Sequence, residues 1–195
     1  MKKFFSEKTD MSLSFLNFIR VANSEEFNTR KAIASMCQLY CRIWAEEPWN
    51  EPDWKETVVK KDFLDQLKKR GAIAFLATQI ENSTTIGFSW GYKVSPDDLE
   101  KISGNKKFYD ILENKGPAFY IDELGVEKEH RKNGIGYMLS NLIIESAKEE
   151  GSRVITLRTD QKAIPAKKLY QNIGFEELSI VDTIYNNRTY WLKTI

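Results

Sequence analysis

The most informative segment of this 195-residue chain reads Arg131-Lys132-Asn133-Gly134-Ile135-Gly136. An apolar, strand-like run at 119–126 precedes it, and an amphipathic, helix-like run at 137–150 follows it. A glycine-rich turn between a strand and a helix leaves the first backbone N–H groups of the helix without internal partners. Because those amides and the helix dipole favour an anion, the segment predicts a site for a phosphorylated cofactor at residues 131–137.

The composition is typical of a single globular domain. Hydrophobic residues make up 42% of the chain, charged residues make up 29%, and the formal net charge is +1. With a net charge this close to zero, there is no reason to expect a nucleic acid or an anionic membrane surface as a partner. The apolar runs are too short for a membrane span or a signal peptide. The sequence therefore predicts a cytoplasmic protein.

The order of predicted elements is β-α-α-β-β-β-α-β-α-β-β, which indicates an α/β fold. We expect a flexible tail at residues 1–13 and one domain at residues 14–195. Asn23 and Glu26 have the spacing of a helix cap at the start of the first helix. Residues 95–117 form a long polar connector with two short helices, and a connector of this length is often functional.

The two cysteines and the single histidine give no indication of a metal site. Cys37 and Cys41 lie four residues apart on a predicted helix, where a disulfide fits poorly, so both are expected to be free thiols. His130 is far from both in sequence and is expected to lie exposed in a loop.

Two short patterns in the second half of the chain match those of a known family. The GCN5-related N-acetyltransferase superfamily has a pyrophosphate loop of Arg or Gln, two residues, Gly, one residue, then Gly or Ala. It also has Ala, three residues, Tyr, three residues and Gly-Phe. The matching residues of this chain are Arg131, Gly134 and Gly136, and then Ala166, Tyr170, Gly174 and Phe175. With the order of elements, these patterns make the chain resemble that superfamily over nearly its whole length.

The resemblance implies both a fold and an activity. The fold would be a single GNAT-type domain of the α/β (α+β) class, with helices on both faces of a mixed central sheet. That sheet would have about six to seven strands and would be splayed between the fourth and the fifth. The activity would be direct transfer of an acetyl group from acetyl-CoA to a primary amine in a ternary complex. A likeness to aminoglycoside 6′-acetyltransferases favours a small cationic acceptor, aminoglycoside-like or polyamine-like.

The resemblance also implies a set of residues that bind acetyl-CoA. They are Leu124, Gly125 and Val126 in the strand, and Arg131, Lys132, Asn133, Gly134, Ile135, Gly136 and Tyr137 in the loop. The two loop glycines would let the backbone approach the pyrophosphate, and Arg131 and Lys132 would add positive charge. Gly125 suits a β-bulge, or it only relieves crowding. An amide of Val126 or near Leu124 would donate to the thioester oxygen.

One position departs from the superfamily pattern. Asn commonly lies seven residues before the tyrosine, where it helps to hold the cofactor, and this chain has Ala163 there. One cofactor contact is therefore missing, or another group such as Asp160 or Gln161 makes it.

Two catalytic residues are implied as well. Tyr170 would donate a proton to the leaving thiolate, because a phenol is protonated at neutral pH. Asp122 would take the proton of the amine, since strand alternation places it on one face with Leu124 and Val126. Glu123 would point to the other face and is the reserve candidate. Either carboxylate also has a structural reading, as a surface group or an ion-pair partner.

The acceptor would bind near the junction of the first two helices, at residues 44–54. The residues that we expect to contact it are Trp49, Glu51, Trp90 and Asp160. Aromatic faces and carboxylates suit a cationic amine, although Trp90 is also a typical core residue and Asp160 a typical loop residue. If the connector at 95–117 folded over this cleft, a peptide could not lie across it.

Two other functions remain open from the sequence, namely acetylation of a protein N-terminus or lysine, and acyl-CoA binding without turnover. The last predicted strand, at residues 188–194, would be exposed and could pair with a second copy of the chain in a homodimer.

Overall fold

A computed structural model describes residues 13–21 and 27–195 of the chain. The strands are β1 (Leu16–Arg20), β2 (Ile73–Gln79), β3 (Thr85–Val94), β4 (Ala118–Val126), β5 (Val154–Asp160), β6 (Glu176–Leu178) and β7 (Arg188–Thr194). The helices are α1 (Phe27–Trp44), α2 (Glu56–Gln66), α3 (Pro96–Ser103), α4 (Lys107–Leu112), α5 (Ile135–Glu149) and α6 (Ile164–Asn172). The predicted tail, except for Leu13, and the predicted cap at Asn23 and Glu26 lie outside the described residues.

The seven strands form one mixed sheet in the order β1-β2-β3-β4-β5-β7-β6. β4 and β5 are parallel, and the other neighbours are antiparallel. This confirms the predicted fold class. The prediction of an exposed last strand is wrong, because β7 lies between β5 and β6. The strand at that edge is β6, which has only three residues.

Helices cover both faces of the sheet, as predicted. α5 and α6 pack on one face through apolar residues such as Leu139, Ile143 and Tyr170, and we call this the α5 face. α1 and α2 pack on the opposite face, the α1 face, through residues such as Met36 and Phe63. Burial of these apolar stripes against the sheet is the main source of stability for the fold.

The connector at 95–117 folds into α3 and α4, which lie on the α1 face. α3 begins with a reciprocal cap, in which the amide of Asp98 donates to the Ser95 hydroxyl and the amide of Ser95 donates to the Asp98 carboxylate. The two helices contact Ala118 and Tyr120 in the first half of β4. At the end of α3, the Ile102 carbonyl accepts a hydrogen bond from Arg158 of β5 at 3.2 Å.

The two parallel central strands separate along their length. Residues 118–121 of β4 pair with residues 154–157 of β5, and the pairing ends there. β4 continues to Val126 and β5 to Asp160 without further pairing between them. The predicted splay between the fourth and fifth strands is thereby confirmed. We call the opening between these carboxyl ends the β4–β5 cleft.

A β-bulge lies in β4 at the start of this cleft. Trp90 of β3 pairs with Glu123, whereas the next residue, Gly91, pairs with Ile121. Asp122 is therefore the extra residue of β4. A bulge interrupts the alternation of side chains between the two faces of a sheet, and this has consequences for both candidate bases.

Gly125 does not form the bulge, so that prediction is wrong, and its alternative of relieved crowding is confirmed. Gly125 pairs regularly with Phe88 in β3. A β-carbon at position 125 would lie 2.5 Å from the Phe88 ring and 2.9 Å from a methyl group of Ile43. Glycine is thus needed here because α1 packs closely on this part of the sheet.

The two thiols are free, as predicted, and burial raises the pKa of Cys37 to about 11. His130 is half-buried in a single 3₁₀ turn, with its Nε2 atom 3.6 Å from Glu127.

Among residues 13–21 and 27–195, no group of side chains is placed to hold a metal ion. None of the helices in those ranges is long and apolar enough to cross a membrane.

Tyr120 allows a test of the packing in the first half of β4. Its side chain is 0% exposed, and its hydroxyl has no partner among the described residues. We expect Tyr120→Phe to raise the free energy of unfolding by about 1 kcal/mol, because it removes a buried, unsatisfied polar group. Tyr190→Phe is the matched control, since the Tyr190 hydroxyl donates to Asp182 at 2.7 Å. Urea titrations that show an equal loss of stability in both variants would contradict this packing.

Candidate active site

The glycine-rich loop ends at the start of α5. Gly134 adopts a left-handed φ of 83° and caps the helix without a side-chain hydrogen bond. The amide of Met138 makes the first bond of the helix, to the Gly134 carbonyl at 2.9 Å. The amides of residues 135–137 therefore have no hydrogen-bond partner within the described part of the chain. These free donors, at the positive end of a helix, are suited to bind a diphosphate.

Arg131 fixes the loop rather than pointing freely to solvent. Its Nε donates to the Val126 carbonyl at 2.9 Å, and its guanidinium forms an ion pair with Glu46 at 2.7 Å. Glu46 lies in the turn between α1 and α2. Arg131 thus connects the candidate cofactor loop with the candidate acceptor wall. Lys132 is exposed and forms no ion pair with any residue that the structure describes, so its positive charge is available to a ligand.

The second half of β4 exposes its backbone to the β4–β5 cleft. The amide of Glu127 donates to the Ile86 carbonyl of β3 at 2.8 Å. Because alternate residues of an antiparallel strand bond to the same neighbour, Leu124 and Val126 direct their amides away from β3, into the cleft. The bond from Arg131 to the Val126 carbonyl lies on that same side. An extended molecule with amide groups can therefore pair with β4 here as an additional strand.

Asp122 and Glu123 both lie on the α1 face at the mouth of the cleft. The Tyr40 hydroxyl donates to Glu123 at 3.1 Å, and the Tyr92 hydroxyl makes a long bond of 3.4 Å to Asp122. We predicted that Glu123 would point to the opposite face and that Asp122 would share a face with Leu124. Both predictions are wrong, because the bulge at Asp122 shifts the alternation by one residue.

Burial raises the pKa of both carboxyl groups. For Glu123 the nearby charge of Asp122 adds to the effect of burial, and its pKa lies well above the ordinary value. For Asp122 the positive charges of Lys69 and Arg158 partly offset burial. A carboxylate with a raised pKa holds a proton more strongly near neutral pH, which is what a general base requires.

Tyr170 approaches the cleft from the opposite side of the sheet. It lies on α6, packs against Phe175 and Trp191 on the α5 face, and is 6% exposed. Burial raises the pKa of its phenol, and the charge of Glu123 raises it further. The hydroxyl makes no hydrogen bond within the described ranges, so it keeps its proton free for donation. The charge of Glu123, on the α1 face, therefore acts on a phenol that packs on the α5 face.

Two of the predicted acceptor residues are not available to a ligand. Trp90 is 2% exposed in the core, where its indole N–H donates to Gln66 at 2.7 Å. Asp160 is also 2% exposed. Its carboxylate accepts one hydrogen bond from the side-chain amide of Asn187 and another from the guanidinium of Arg188 at 3.2 Å. Its role in this structure is to hold the start of β7 against the end of β5.

The other two predicted acceptor residues are half-buried in the α1–α2 turn. The Glu51 carboxylate accepts a hydrogen bond from the indole of Trp54 at 2.9 Å. Trp49 stacks on Trp44 at a centroid distance of 5.5 Å, and its ring also lies 4.7 Å from the guanidinium carbon of Arg188. Of these two residues, Trp49 is the one that contacts the opposite wall of the cleft, through Arg188.

Sequence reasoning missed two residues of the cleft walls, namely Tyr40, which contacts β4, and Arg188, which pairs with the end of β5. Tyr40 stacks on Trp44 at 4.2 Å, and Trp44 stacks on Trp49, so we call these three rings the aromatic column. The column runs from the Glu123 carboxylate to the Arg188 guanidinium. The spacing of Tyr40 and Trp44 on one helix signals a shared face, but it gives no sign that this face borders a cleft.

Comparisons with known proteins agree with this geometry. The model of the Acetyltransferase (GNAT) family matches residues 33–175. Over 61 residues the chain is 38% identical to an uncharacterized N-acetyltransferase of Methanocaldococcus jannaschii. That match covers 31% of this chain, and it spans only 27% of the length of the archaeal protein.

Several solved structures share the fold. A chain of the NatC complex bound to Gag peptide and CoA has a TM-score of 0.64 at 18% identity, covering 92% of this chain and 98% of its own. NAA60 of Arabidopsis thaliana in complex with acetyl-CoA has a TM-score of 0.64 at 17% identity, with the same coverage. The aminoglycoside N-acetyltransferase AAC(6′)-Iy with CoA has 0.60 at 16%, covering 85% and 91%. At these identities the likeness shows the fold alone.

Proposed function

Since the chain belongs to the Acetyltransferase (GNAT) family, we propose that it transfers the acetyl group of acetyl-CoA to the primary amine of a small cationic molecule. The observation that carries this proposal is the β4–β5 cleft. The proposal is supported by the strand amides that face this cleft, by two carboxyl groups with raised pKa on the α1 face and by the phenol of Tyr170 on the α5 face. These are the groups that acyl transfer to an amine requires.

The residues at the cleft fit acetyl-CoA in two places. The free amides of residues 135–137 suit its diphosphate, and the amides of Leu124 and Val126 suit the extended pantetheine arm. When bound, acetyl-CoA supplies the acetyl group as a reactive thioester. An amide of Leu124 or Val126 would then donate to the carbonyl oxygen and stabilise its developing negative charge.

Glu123 is the better candidate for the base, which reverses the order of preference that the sequence suggested. A primary amine has a pKa of about 10 and must lose a proton before it can attack. The Glu123 carboxylate is oriented by Tyr40, and its charge acts on Tyr170 across the cleft. Asp122, one residue earlier, keeps the pKa of Glu123 raised. Tyr170 would return a proton to the leaving sulfur from the opposite side.

The walls of the cleft support a cationic acceptor. Asp122 and Glu123 lie at its mouth, and the aromatic column forms one side. Carboxylates and aromatic rings both attract ammonium groups, through charge and through the electron-rich ring face. An amine with further positive charges would gain more from this wall than a neutral amine.

A panel of amines tests this function through release of the CoA thiol. The panel contains spermidine, an aminoglycoside, a lysine-containing peptide and a peptide with a free N-terminus. We expect the highest kcat/KM with spermidine or the aminoglycoside. Preference for either peptide would favour protein acetylation instead. Measurable acetyl-CoA binding without thiol release for any amine would indicate a non-catalytic binding module.

Tyr170→Phe tests the proposed acid. The change removes one hydroxyl from a packed ring, so the fold and the Kd for acetyl-CoA should stay unchanged in calorimetry. We expect kcat to fall by about tenfold to a hundredfold, because the thiolate leaves without a proton donor. Native turnover in this variant would remove Tyr170 from the mechanism.

A further inference from the structure

One contact joins the two walls of the cleft on the α1 face. The guanidinium carbon of Arg188 lies 4.7 Å from the centre of the Trp49 ring. Trp49 belongs to the turn between α1 and α2, whereas Arg188 is the first residue of β7. α1 is bound to β4 by the hydrogen bond from Tyr40 to Glu123, and β7 is paired with β5. The contact between Trp49 and Arg188 therefore connects the β4 side of the cleft with the β5 side.

Both partners of this contact are held in place. Arg188 forms an ion pair with the buried carboxylate of Asp160 at 3.2 Å, and Trp49 stacks on Trp44 with an angle of only 8° between the rings. A cation on an aromatic face that also has a carboxylate partner is a stable arrangement. The contact is therefore a fixed bridge, and not a chance approach of two long side chains.

The loop that precedes Arg188 is anchored as well. The Asp182 carboxylate is buried and accepts hydrogen bonds from the amides of Ile184 and Tyr185 at 2.9 and 2.7 Å. The amide of Thr183 donates to the Ser103 carbonyl of α3 at 2.8 Å. The loop before Arg188 is thus hydrogen-bonded to α3, which holds this wall of the cleft in position.

We infer that the Trp49–Arg188 bridge determines acceptor length: it admits amines that end within the cleft and excludes extended peptide chains. The inference rests on the proposed function and refines its acceptor class. A peptide whose terminal amine reaches Glu123 must lead its backbone back to solvent between the two walls. An extended chain needs a channel about 5 Å wide, and a guanidinium packed on a ring leaves no such space between them.

Substitutions at the bridge should widen the range of acceptors. Trp49→Ala removes the ring but leaves the Arg188–Asp160 ion pair intact, and Trp49→Phe is the matched control that keeps an aromatic face. Arg188→Ala breaks the same contact from the other side. For each protein we compare kcat/KM for spermidine with kcat/KM for tetra-alanine amide, whose N-terminal amine is free. Thermal melts check that each variant is folded.

We expect kcat/KM for the peptide itself to rise by about tenfold or more in Trp49→Ala and in Arg188→Ala, and not to rise in Trp49→Phe. An unchanged peptide kcat/KM in a folded Trp49→Ala or Arg188→Ala protein would overturn the inference. The native protein is a test by itself, because equal use of the peptide and spermidine would also overturn it. Spermidine turnover by the native protein supports the proposed function independently, so the two failures can be distinguished.

Discussion

Gly134→Glu should abolish measurable binding of acetyl-CoA in isothermal titration calorimetry. Gly134 is the residue that caps α5, next to the free amides of residues 135–137. A glutamate there places a carboxylate at the positive end of the helix, where it occupies and repels the position of a diphosphate. We expect the Kd to rise by at least about a hundredfold, because like charges in contact cost several kcal/mol near a protein surface.

Gly151→Glu provides the matched control at the other end of the same helix. Gly151 also has a left-handed φ, of 86°, and a β-carbon added there meets no atom within 4 Å. Both substitutions carry the cost of a left-handed non-glycine residue, about 1–2 kcal/mol. Gly151→Glu also places its charge beyond the negative end of the helix, so it should lose at least as much stability as Gly134→Glu, while only Gly134→Glu loses affinity. Unchanged affinity in Gly134→Glu would refute the assignment of the diphosphate to this loop.

Glu123→Gln should give the largest loss of turnover. The amide has the size of the carboxylate and can still accept the hydrogen bond from Tyr40, so folding and acetyl-CoA affinity should be preserved. It cannot take a proton from the amine, and we expect kcat to fall by about a hundredfold to ten-thousandfold. Steady-state assays of thiol release at saturating acetyl-CoA and spermidine measure this kcat.

The pH profile distinguishes the two carboxylates. Only ionised Glu123 accepts a proton, so native turnover should rise with pH through the raised pKa of this group. Asp122→Asn removes the neighbouring negative charge and should move this rise to lower pH, whereas Glu123→Gln should remove it. Native turnover in Glu123→Gln together with a large loss in Asp122→Asn would restore Asp122 as the base.

Local signals in the sequence were sufficient to predict most of the fold. Gly134 opens α5, and the apolar run at 118–126 forms β4 within one residue of its predicted start. The bounds of β7 agree with the predicted strand at 188–194, because a turn precedes a short run of strand-forming residues there. The position of β7 inside the sheet was not predictable in this way, since strand order depends on contacts between distant segments.

The parts of the site that the sequence misplaced share one physical origin. Strand alternation assigns a face to every residue only if no bulge intervenes, and nothing at Asp122 signals one. The burial of Trp90 depends on where α1 and α2 pack, and the Trp49–Arg188 bridge depends on two loops that meet only in the folded protein. Tertiary contacts of this kind leave no trace in local composition.

Amide hydrogen exchange measured by NMR, with and without saturating acetyl-CoA, tests most directly whether β4 holds the cofactor as an additional strand. We predict that the amides of Leu124 and Val126, which face the cleft, gain strong protection on binding. The amide of Glu127, which already donates to Ile86 of β3, should change little. Saturated protein in which the amides of Leu124 and Val126 exchange as fast as in the free protein would show that β4 does not hold the cofactor in this way.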